Sequence, residues 1–161
     1  MPNFVLRKLE SEDEPLLFHW RNDPFIVSLS ARKNNVERAE HSIWFHRILN
    51  AADVLSRIIV SGEYGAHLGF VKVEKQEKNG VIDIYLMRAH TGVGIGPQVI
   101  HQIVEKSFES WSDMESVVAK IRRDNTRSAR AFSKAGFKVL DGEKELSRVN
   151  SEDLITMVMA R

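Results

Sequence analysis

Residues 81–96 read VIDIYLMRAHTGVGIG, and this stretch decides the fold. The segment from Val81 to Leu86 predicts a β-strand. The glycines that follow it, Gly92, Gly94 and Gly96, let the backbone approach a ligand closely and turn its amides outward. The helix predicted beyond them adds unpaired N–H groups and the positive end of its dipole. A strand, a glycine-rich turn and a helix therefore predict a pyrophosphate site.

Two other interpretations of this loop stay open. Glycine loops also end strands for purely structural reasons. A dinucleotide-binding Rossmann unit begins in a similar way, but it needs Gly-x-Gly-x-x-Gly near its first strand and an acidic residue about 20 positions later. Here the spacing is Gly-x-Gly-x-Gly, and four predicted strands precede it.

Downstream of the loop, apolar residues from Val99 to Trp111 recur at spacings of three and four, which predicts an amphipathic helix. A short strand is predicted over Val117 to Ile121. A helix over Thr126 to Ala135 ends at Gly136. Closing strands are predicted for Phe137 to Leu140 and for Leu154 to Met159.

Upstream, the expected elements are a strand (Phe4 to Leu9), a helix beginning at a capping box (Ser11 to Glu14) and ending at Asn22-Asp-Pro24, a basic loop (Ser28 to Asn35), a second helix (Val36 to Leu49) and two strands (Val54 to Ser61 and Leu68 to Glu74). Lys78-Asn-Gly80 predicts a hairpin turn. The order is β-α-α-β-β-β-α-β-α-β-β. It indicates an α+β or mixed α/β fold, with helices on a central sheet, in one domain spanning residues 1–161.

The segment from Val117 to Leu140, VVAKIRRDNTRSARAFSKAGFKVL, resembles the GNAT acetyltransferases. That family pairs an (Arg/Gln)-x-x-Gly-x-(Gly/Ala) loop with a later strand, an Asn, a short helix and a Gly-Phe. Gly94 and Gly96 match the loop, and the second block is matched by Asn125, Ser128, Lys134, Gly136 and Phe137. The resemblance implies a mostly antiparallel sheet with a splayed pair of parallel strands, helices on both faces, and acetyl-CoA as cosubstrate.

The same resemblance implies where acetyl-CoA binds. Pantetheine would bond to free backbone near Met87 and Arg88, and the pyrophosphate would lie on the amides of Gly92, Val93, Gly94, Ile95 and Gly96. Contacts from the second block are implied for Asn125, Ser128, Phe132 and Lys134. The chain departs from the family at two positions. Thr91 replaces the long polar side chain of the loop, and Phe132 stands where many members carry a general-acid tyrosine.

The N-terminal third resembles the nucleotide-amino-sugar N-acetyltransferases of the pseudaminic acid pathway type. The residues that carry this resemblance are Trp20-Arg-Asn22 and His41-x-x-Trp44-Phe45. Acceptor contacts are expected from these motifs at Trp20, Asn22, His41 and Trp44, and in addition at Arg32 of the basic loop and at Tyr85 of the strand before the glycine loop. Acetyltransferases of ribosomal-protein N-termini and of aminoglycosides share the Trp-Arg-Asn pattern, so those acceptors stay open. Trp20 and Trp44 also fit a role as core anchors.

Direct transfer needs a base, or a water ordered by a carboxylate, to take the proton of the attacking amine. Asp83 is the expected carboxylate, because it shares one side of its strand with Tyr85. A solvated or ion-paired Asp83 is the alternative. Thr91 and Phe132 also leave open a binding module without catalysis.

Composition narrows the partners. The 23 basic and 22 acidic side chains leave a net charge of +1, so we expect neither nucleic acid nor a membrane as partner. The sequence has no cysteine and no His-Glu-x-x-His spacing, so we expect no metal. No apolar run of signal-peptide length opens the sequence, so the expected location is cytoplasmic. The expected partner is a small-molecule amine, and a homodimer stays open.

A local basic patch stands out in this nearly neutral chain. The loop before the second helix carries Arg32 and Lys33, with Arg38 just beyond, and no acid lies between Phe25 and Val36. This patch favours an anionic acceptor such as the diphosphate of a nucleotide sugar.

Overall fold

The computed structural model describes residues 3–140 and 154–161. Its elements are, in chain order, β1 (Phe4–Lys8), α1 (Glu14–Arg21), α2 (Pro24–Leu29), α3 (Arg38–Leu49), β2 (Val54–Ser61), β3 (His67–Gln76), β4 (Asn79–Leu86), α4 (Ile95–Ser110), β5 (Ser116–Arg122), α5 (Thr126–Ala135), β6 (Lys138–Val139) and β7 (Leu154–Ala160). Single 3₁₀ turns lie at Ser11–Asp13 and Arg88–His90. None of the helices in the described ranges is long and apolar enough to cross a membrane.

The strands form one sheet in the order β1-β2-β3-β4-β5-β7-β6. Neighbours are antiparallel except β4 and β5, which are parallel. This confirms the expected fold class, a mixed α/β fold built on a mostly antiparallel sheet with one parallel pair.

Alternating side chains along the strands build a separate core on each face of the sheet. Ile59, Val71 and Ile82 belong to the larger core, together with the apolar residues of α4 and α5. Ile58 and Phe70 belong to the second core, with Leu17 and Trp20 of α1 and Phe45 and Ile48 of α3. Helices therefore cover both faces, as expected.

The N-terminal third differs from the prediction at three places. An additional helix, α2, begins at Pro24 where only a helix end and a loop were expected. Asp23 caps it by accepting a hydrogen bond from the amide of Phe25 at 2.9 Å, and proline suits the first helical position. The chain around Val36 is fixed by the Asn22 side chain, so α3 begins at Arg38.

The capping interaction of the first helix lies one residue earlier than expected. The carboxylate of Asp13 accepts the amide of Glu10 at 2.8 Å and also binds the Arg7 guanidinium through two hydrogen bonds. Asp13 is thereby the acceptor of the box, and α1 begins at Glu14.

The hairpin turn between β3 and β4 also lies earlier than expected. Gln76 pairs with Asn79, so Glu77 and Lys78 form the turn, with Glu77 at φ 55°. Gly80 is a strand residue instead. A Cβ there would lie 2.8 Å from Cγ1 of Val73 and 3.0 Å from Sδ of Met114, so this glycine is required by close packing.

The parallel pair positions the site. Strands β4 and β5 pair only at Asn79–Ser116, Gly80–Val117 and Val81–Val118. Beyond Val81, β4 continues to pair with β3 as far as Leu86, and β5 continues to pair with β7 as far as Arg122. Because each strand stays attached to its outer neighbour, the two separate and leave a gap inside the sheet.

Candidate active site

A cavity of about 630 Å³ lies at this gap. It is lined by the separated ends of β4 and β5, the glycine loop, α5, and the segment from α1 to α3. The predicted site residues that line it are Arg32, His41, Trp44, Asp83, Tyr85, Gly92, Gly94, Gly96, Asn125, Ser128, Phe132 and Lys134. The predicted residues outside its lining are Trp20, Asn22, Met87, Arg88, Val93 and Ile95.

The glycine loop has the backbone conformation that its sequence predicted. Gly92 and Gly94 have φ of 77° and 84°, in the left-handed region, and Gly94 precedes the first residue of α4. No atom lies within 4 Å of a Cβ built at either position. The loop therefore offers open space in front of the helix N-terminus, which is the arrangement that accepts a phosphate.

Arg127 of α5 reaches this loop. Its Nη1 donates a hydrogen bond of 2.8 Å to Oγ1 of Thr91, whose hydroxyl donates in turn to the carbonyl of Arg88 at 2.9 Å. Thr91 replaces the long polar side chain that the resemblance leads one to expect in the loop. The hydrogen bond from Arg127 brings a guanidinium from α5 to this position.

Asn125 begins α5. Its Oδ1 accepts a hydrogen bond of 3.2 Å from the amide of Ser128, which is an N-cap. Phe132, in the second half of α5, is 3% exposed and packs edge-to-face on Phe137, with a distance of 5.0 Å between the ring centroids. Phe132 thus contributes an apolar surface to the cavity and no titratable group.

One expected backbone contact needs correction. The amide of Met87 already donates to the carbonyl of Leu68 at 3.0 Å, so it points toward β3 and away from the gap. The Arg88 guanidinium lies 4.9 Å from the ring centroid of Phe25, and the backbone contact expected at Arg88 stays a prediction. Backbone groups alternate in direction along a strand, so the unpaired edge of β4 is formed nearer Leu86, which lines the cavity.

Aromatic side chains form a continuous wall on the face of the sheet covered by α1 and α3. Ring centroids are 5.2 Å apart for His41 and Trp44, 6.0 Å for Trp44 and Phe70, and 5.7 Å for Phe70 and Tyr85. All four line the cavity. Burial raises the pKa of the Tyr85 hydroxyl, so it stays protonated at neutral pH.

Trp20 and Asn22 stand behind this wall and outside the cavity lining. Trp20 is 6% exposed and packs perpendicular to Tyr85 at 6.2 Å, as a core anchor. The Asn22 amide bonds both backbone groups of Val36, at 2.7 and 3.1 Å. Both residues thus support residues that line the cavity, and the direct acceptor contact expected of them stays a prediction.

Asp83 lies on the same face of β4 as Tyr85, as expected. Its carboxylate is 2.8 Å from Nζ of Lys72, its cross-strand partner, and its side chain is 62% exposed. Lys72 is also 3.3 Å from Glu74. Asp83 thus reaches the cavity as an ion-paired carboxylate.

Positive charge dominates the cavity lining. The cations are Arg21, Arg32, Lys72, Lys120, Arg122, Arg127 and Lys134, and the carboxylates are Glu40 and Asp83. Arg32 pairs with Glu40, which holds the pKa of that carboxyl below its usual value. The described residues contain no group of His, Asp and Glu side chains that could hold a metal.

Several lining residues were not predicted as site residues from the sequence, among them Arg21, Phe70, Leu86 and Arg127. Arg21 lies inside the quoted Trp-Arg-Asn pattern and Arg127 inside the quoted second block, so position gave a signal for both. Phe70 is one apolar residue among several in a buried strand, so the sequence gives no signal that it lines the site. Only the pairing of β3 with β4 brings it beside Tyr85.

The sequence model of the family described as "Acetyltransferase (GNAT) domain" matches residues 3–138. No curated protein matches the chain significantly.

Solved structures share the fold. A domain from Methanocaldococcus jannaschii DSM 2661 has a TM-score of 0.81 at 22% identity, with 100% of both chains covered. Spermidine N-acetyltransferase from Vibrio cholerae, in complex with CoA and spermine, has a TM-score of 0.79 at 14% identity, covering 98% of this chain and 95% of that one. The aminoglycoside acetyltransferase AAC(6')-Ib with coenzyme A and kanamycin has a TM-score of 0.76 at 20% identity, covering 99% and 95%.

Proposed function

This chain belongs to the GNAT acetyltransferase family, and from that premise we propose that it moves an acetyl group from acetyl-CoA to the primary amine of a small molecule, specifically a nucleotide-linked amino sugar. The observation that carries the proposal is the shared cavity. The gap between β4 and β5, the open glycine loop at the start of α4 and the aromatic wall all line it.

The donor half of the cavity fits acetyl-CoA. Gly92 and Gly94 leave free space for phosphates at a helix N-terminus. Arg127 and Lys134 add positive charge beside that loop. The unpaired edge of β4 near Leu86 would hold the pantetheine arm, and Phe132 would pack against it.

The acceptor half supplies the chemistry. The thioester of acetyl-CoA provides an activated carbonyl, and the protein must align an amine with it. Asp83 is the residue we assign to receive the amine proton, directly or through water. The protonated Tyr85 hydroxyl on the same face of β4 supplies a hydrogen-bond donor. Backbone near Leu86 would polarise the carbonyl as an oxyanion donor.

The acceptor class follows from charge and shape. An aromatic wall suits the apolar face of a sugar ring, and the cations on the side of α1 to α3, Arg21 and Arg32, suit phosphate. The fold neighbours that hold spermine and kanamycin offer the alternative of a polycationic acceptor, and a protein N-terminus is a further one. A lining with this charge would repel polycations. We place the reaction in the cytoplasm, where acyl-CoA donors occur.

The test is acetyl transfer with a panel of amines at fixed acetyl-CoA, followed by mass detection of the N-acetyl product. The panel contains a nucleotide-linked 4-amino sugar, the same sugar without its nucleotide, spermidine, kanamycin and a basic peptide. We expect the highest kcat/KM for the nucleotide-linked sugar. Equal use of the free sugar would overturn the nucleotide-sugar assignment. CoA binding without any product would indicate a binding module instead of an enzyme.

A further inference from the structure

Not every charged side chain on the acceptor side of the cavity forms a salt bridge. The cavity-lining cations of α1, β3 and the segment between α2 and α3 are Arg21, Lys72 and Arg32, and the carboxylates of the lining are Glu40 and Asp83. Arg32 pairs with Glu40, and Lys72 pairs with Asp83. Among the described residues, this leaves the guanidinium of Arg21 without a carboxylate at salt-bridge distance.

Arg21 is also incompletely hydrogen-bonded. Its Nη2 donates to the carbonyl of Arg32 at 3.4 Å, whereas its Nη1 is buried and has no partner among the described residues. Burial lowers the pKa of this guanidinium, and the nearby charge of Arg32 lowers it further. A buried donor without a partner is costly in a folded protein, so its presence in a cavity points to a ligand that completes it.

A second orphaned atom lies on the same cavity. His41 is 2% exposed and is held by its neighbours Phe18 and Trp44, with ring centroids 5.4 and 5.2 Å away. Its Nε2 is buried and also lacks a partner. Burial lowers the pKa of His41, and the charge of Arg21 contributes to that shift, so the imidazole is neutral and close enough to sense the guanidinium.

We propose that Arg21 and His41 form a subsite for an anionic oxygen group, a carboxylate or a phosphate, that the acceptor carries in addition to its amine. The inference rests on the proposed acetyl transfer and specifies the acceptor class further. Nη1 of Arg21 donates a charge-assisted hydrogen bond, and Nε2 of His41 donates a second in the tautomer that carries its proton there.

The charge of the subsite disfavours polyamines and aminoglycosides as acceptors. Those molecules carry several ammonium groups and no anion, so they would place positive charge next to Arg21. An amine that also bears an anion would satisfy both orphaned atoms and neutralise the guanidinium. The same pair would therefore attract the right acceptor and exclude polycations.

Matched acceptors test the proposal and identify the source of the anion. Glucosamine 6-phosphate is compared with glucosamine, and β-alanine with β-alaninamide, at saturating acetyl-CoA. We expect the anionic member of at least one pair to have a kcat/KM higher by at least about tenfold, as a charge-assisted hydrogen bond implies, and mainly through KM. The pair that responds tells phosphate from carboxylate. Equal use of both members of both pairs overturns the proposal.

Variants assign the effect to the residues. Arg21→Gln should reduce the ratio between anionic and neutral acceptor to about one. His41→Leu should reduce it in part. Arg57→Gln is the matched control, because Arg57 is also partly buried and donates to a backbone carbonyl, that of Ser56 at 2.8 Å, but lies outside the cavity lining. A preference that survives Arg21→Gln, or that disappears equally in Arg57→Gln, contradicts the assignment.

A binding readout covers the case in which no amine of the panel is acetylated, which would count against the proposed function alone. Glucosamine 6-phosphate should raise the melting temperature of the CoA-loaded protein more than glucosamine does, and Arg21→Gln should abolish the difference. Unliganded Arg21→Gln should melt close to the wild type, because Nη1 has no hydrogen bond to lose and Nη2 donates only a long one, of 3.4 Å, to the carbonyl of Arg32. A merely structural Arg21 would give a lower melting temperature, and a melting temperature unaffected by the phosphate probe would overturn the subsite.

Discussion

The guanidinium of Arg127, on α5, donates a hydrogen bond of 2.8 Å to the hydroxyl of Thr91, at the start of the glycine loop. Two segments that lie 36 residues apart in the chain thus meet at the N-terminus of α4. The threonine itself carries no charge. The contact therefore brings a cation to the loop from the helix that packs beside α4.

We predict that Arg127→Gln weakens CoA binding by roughly three- to tenfold, because an exposed cation contributes about 1 kcal/mol to an ionic contact. The loss should shrink as salt screens the charge. Titration calorimetry at two salt concentrations measures both effects. Arg130→Gln, on the same helix but outside the cavity lining, is the control. Equal losses in the two variants would show that only the net charge of α5 matters.

A second prediction concerns Gly94. A Cβ at Gly94 meets no atom within 4 Å, but its φ of 84° costs an L-residue about 1–2 kcal/mol. Gly94→Val should also fill the space in front of the helix. At a hundredfold excess over its Kd, CoA should stabilise the wild type by about 2.7 kcal/mol, and the variant not at all. Gly65→Val shares the left-handed φ and the open surroundings but lies in the turn between β2 and β3. It should lose stability and keep the CoA effect, and a Gly94→Val protein that still binds CoA would remove the loop from the site.

Asp83→Asn tests the base. If Asp83 takes the amine proton, kcat should fall by about a hundredfold or more, as steady-state kinetics with the preferred acceptor would show. Asp113→Asn is a close control, because Asp113 is also 62% exposed and also pairs with a lysine, Lys75, at 3.0 Å. An unchanged kcat in Asp83→Asn would remove this carboxylate from the mechanism.

Phe132→Tyr tests whether an acid is missing. Phe132 is buried against Phe137, so we expect its role to be packing. Adding a phenol should then change turnover by less than about tenfold, which corresponds to about 1.4 kcal/mol in the barrier. Steady-state kinetics with the preferred acceptor measure this. A much larger gain would reveal that acid catalysis limits the wild type.

The buried His41 predicts a pH dependence of stability. Its pKa is lowered in the folded state, so below pH of about 6.5 the unfolded chain binds a proton that the folded chain resists. Stability should therefore be full above that pH and fall by up to about 1.4 kcal/mol per pH unit below it. Denaturant unfolding at pH 7.5 and 5.5 measures the slope. His41→Leu should flatten it, whereas His46→Gln, on the exposed side of the same helix, should keep it. A slope unchanged in His41→Leu would assign the proton uptake to another group.

The parts of the site that the sequence predicted are those whose conformation is determined by residues close together in the chain. Glycine spacing before a helix identified the loop at Gly92 and Gly94, because left-handed backbone is a local property that glycine permits. The N-cap of α5 at Asn125 and its end at Gly136 followed from equally local rules. Period-two alternation placed Asp83 and Tyr85 on one face of β4, opposite Ile82 and Ile84, as the two cores confirm.

Tertiary structure alone decided which polar groups meet and which remain unmatched. Lys72 pairs with Asp83 because the register of β3 and β4 places them opposite each other, and a shift by one residue would separate them. The amide of Met87 was unavailable because β3 extends far enough to bind it. Arg21 has no carboxylate at salt-bridge distance among the described residues, and the nearby Glu40 is engaged by Arg32. Local backbone conformation is determined by residues that are neighbours in the chain. The partner of a charged side chain depends instead on distances across the sheet, and no single segment of the sequence determines those distances.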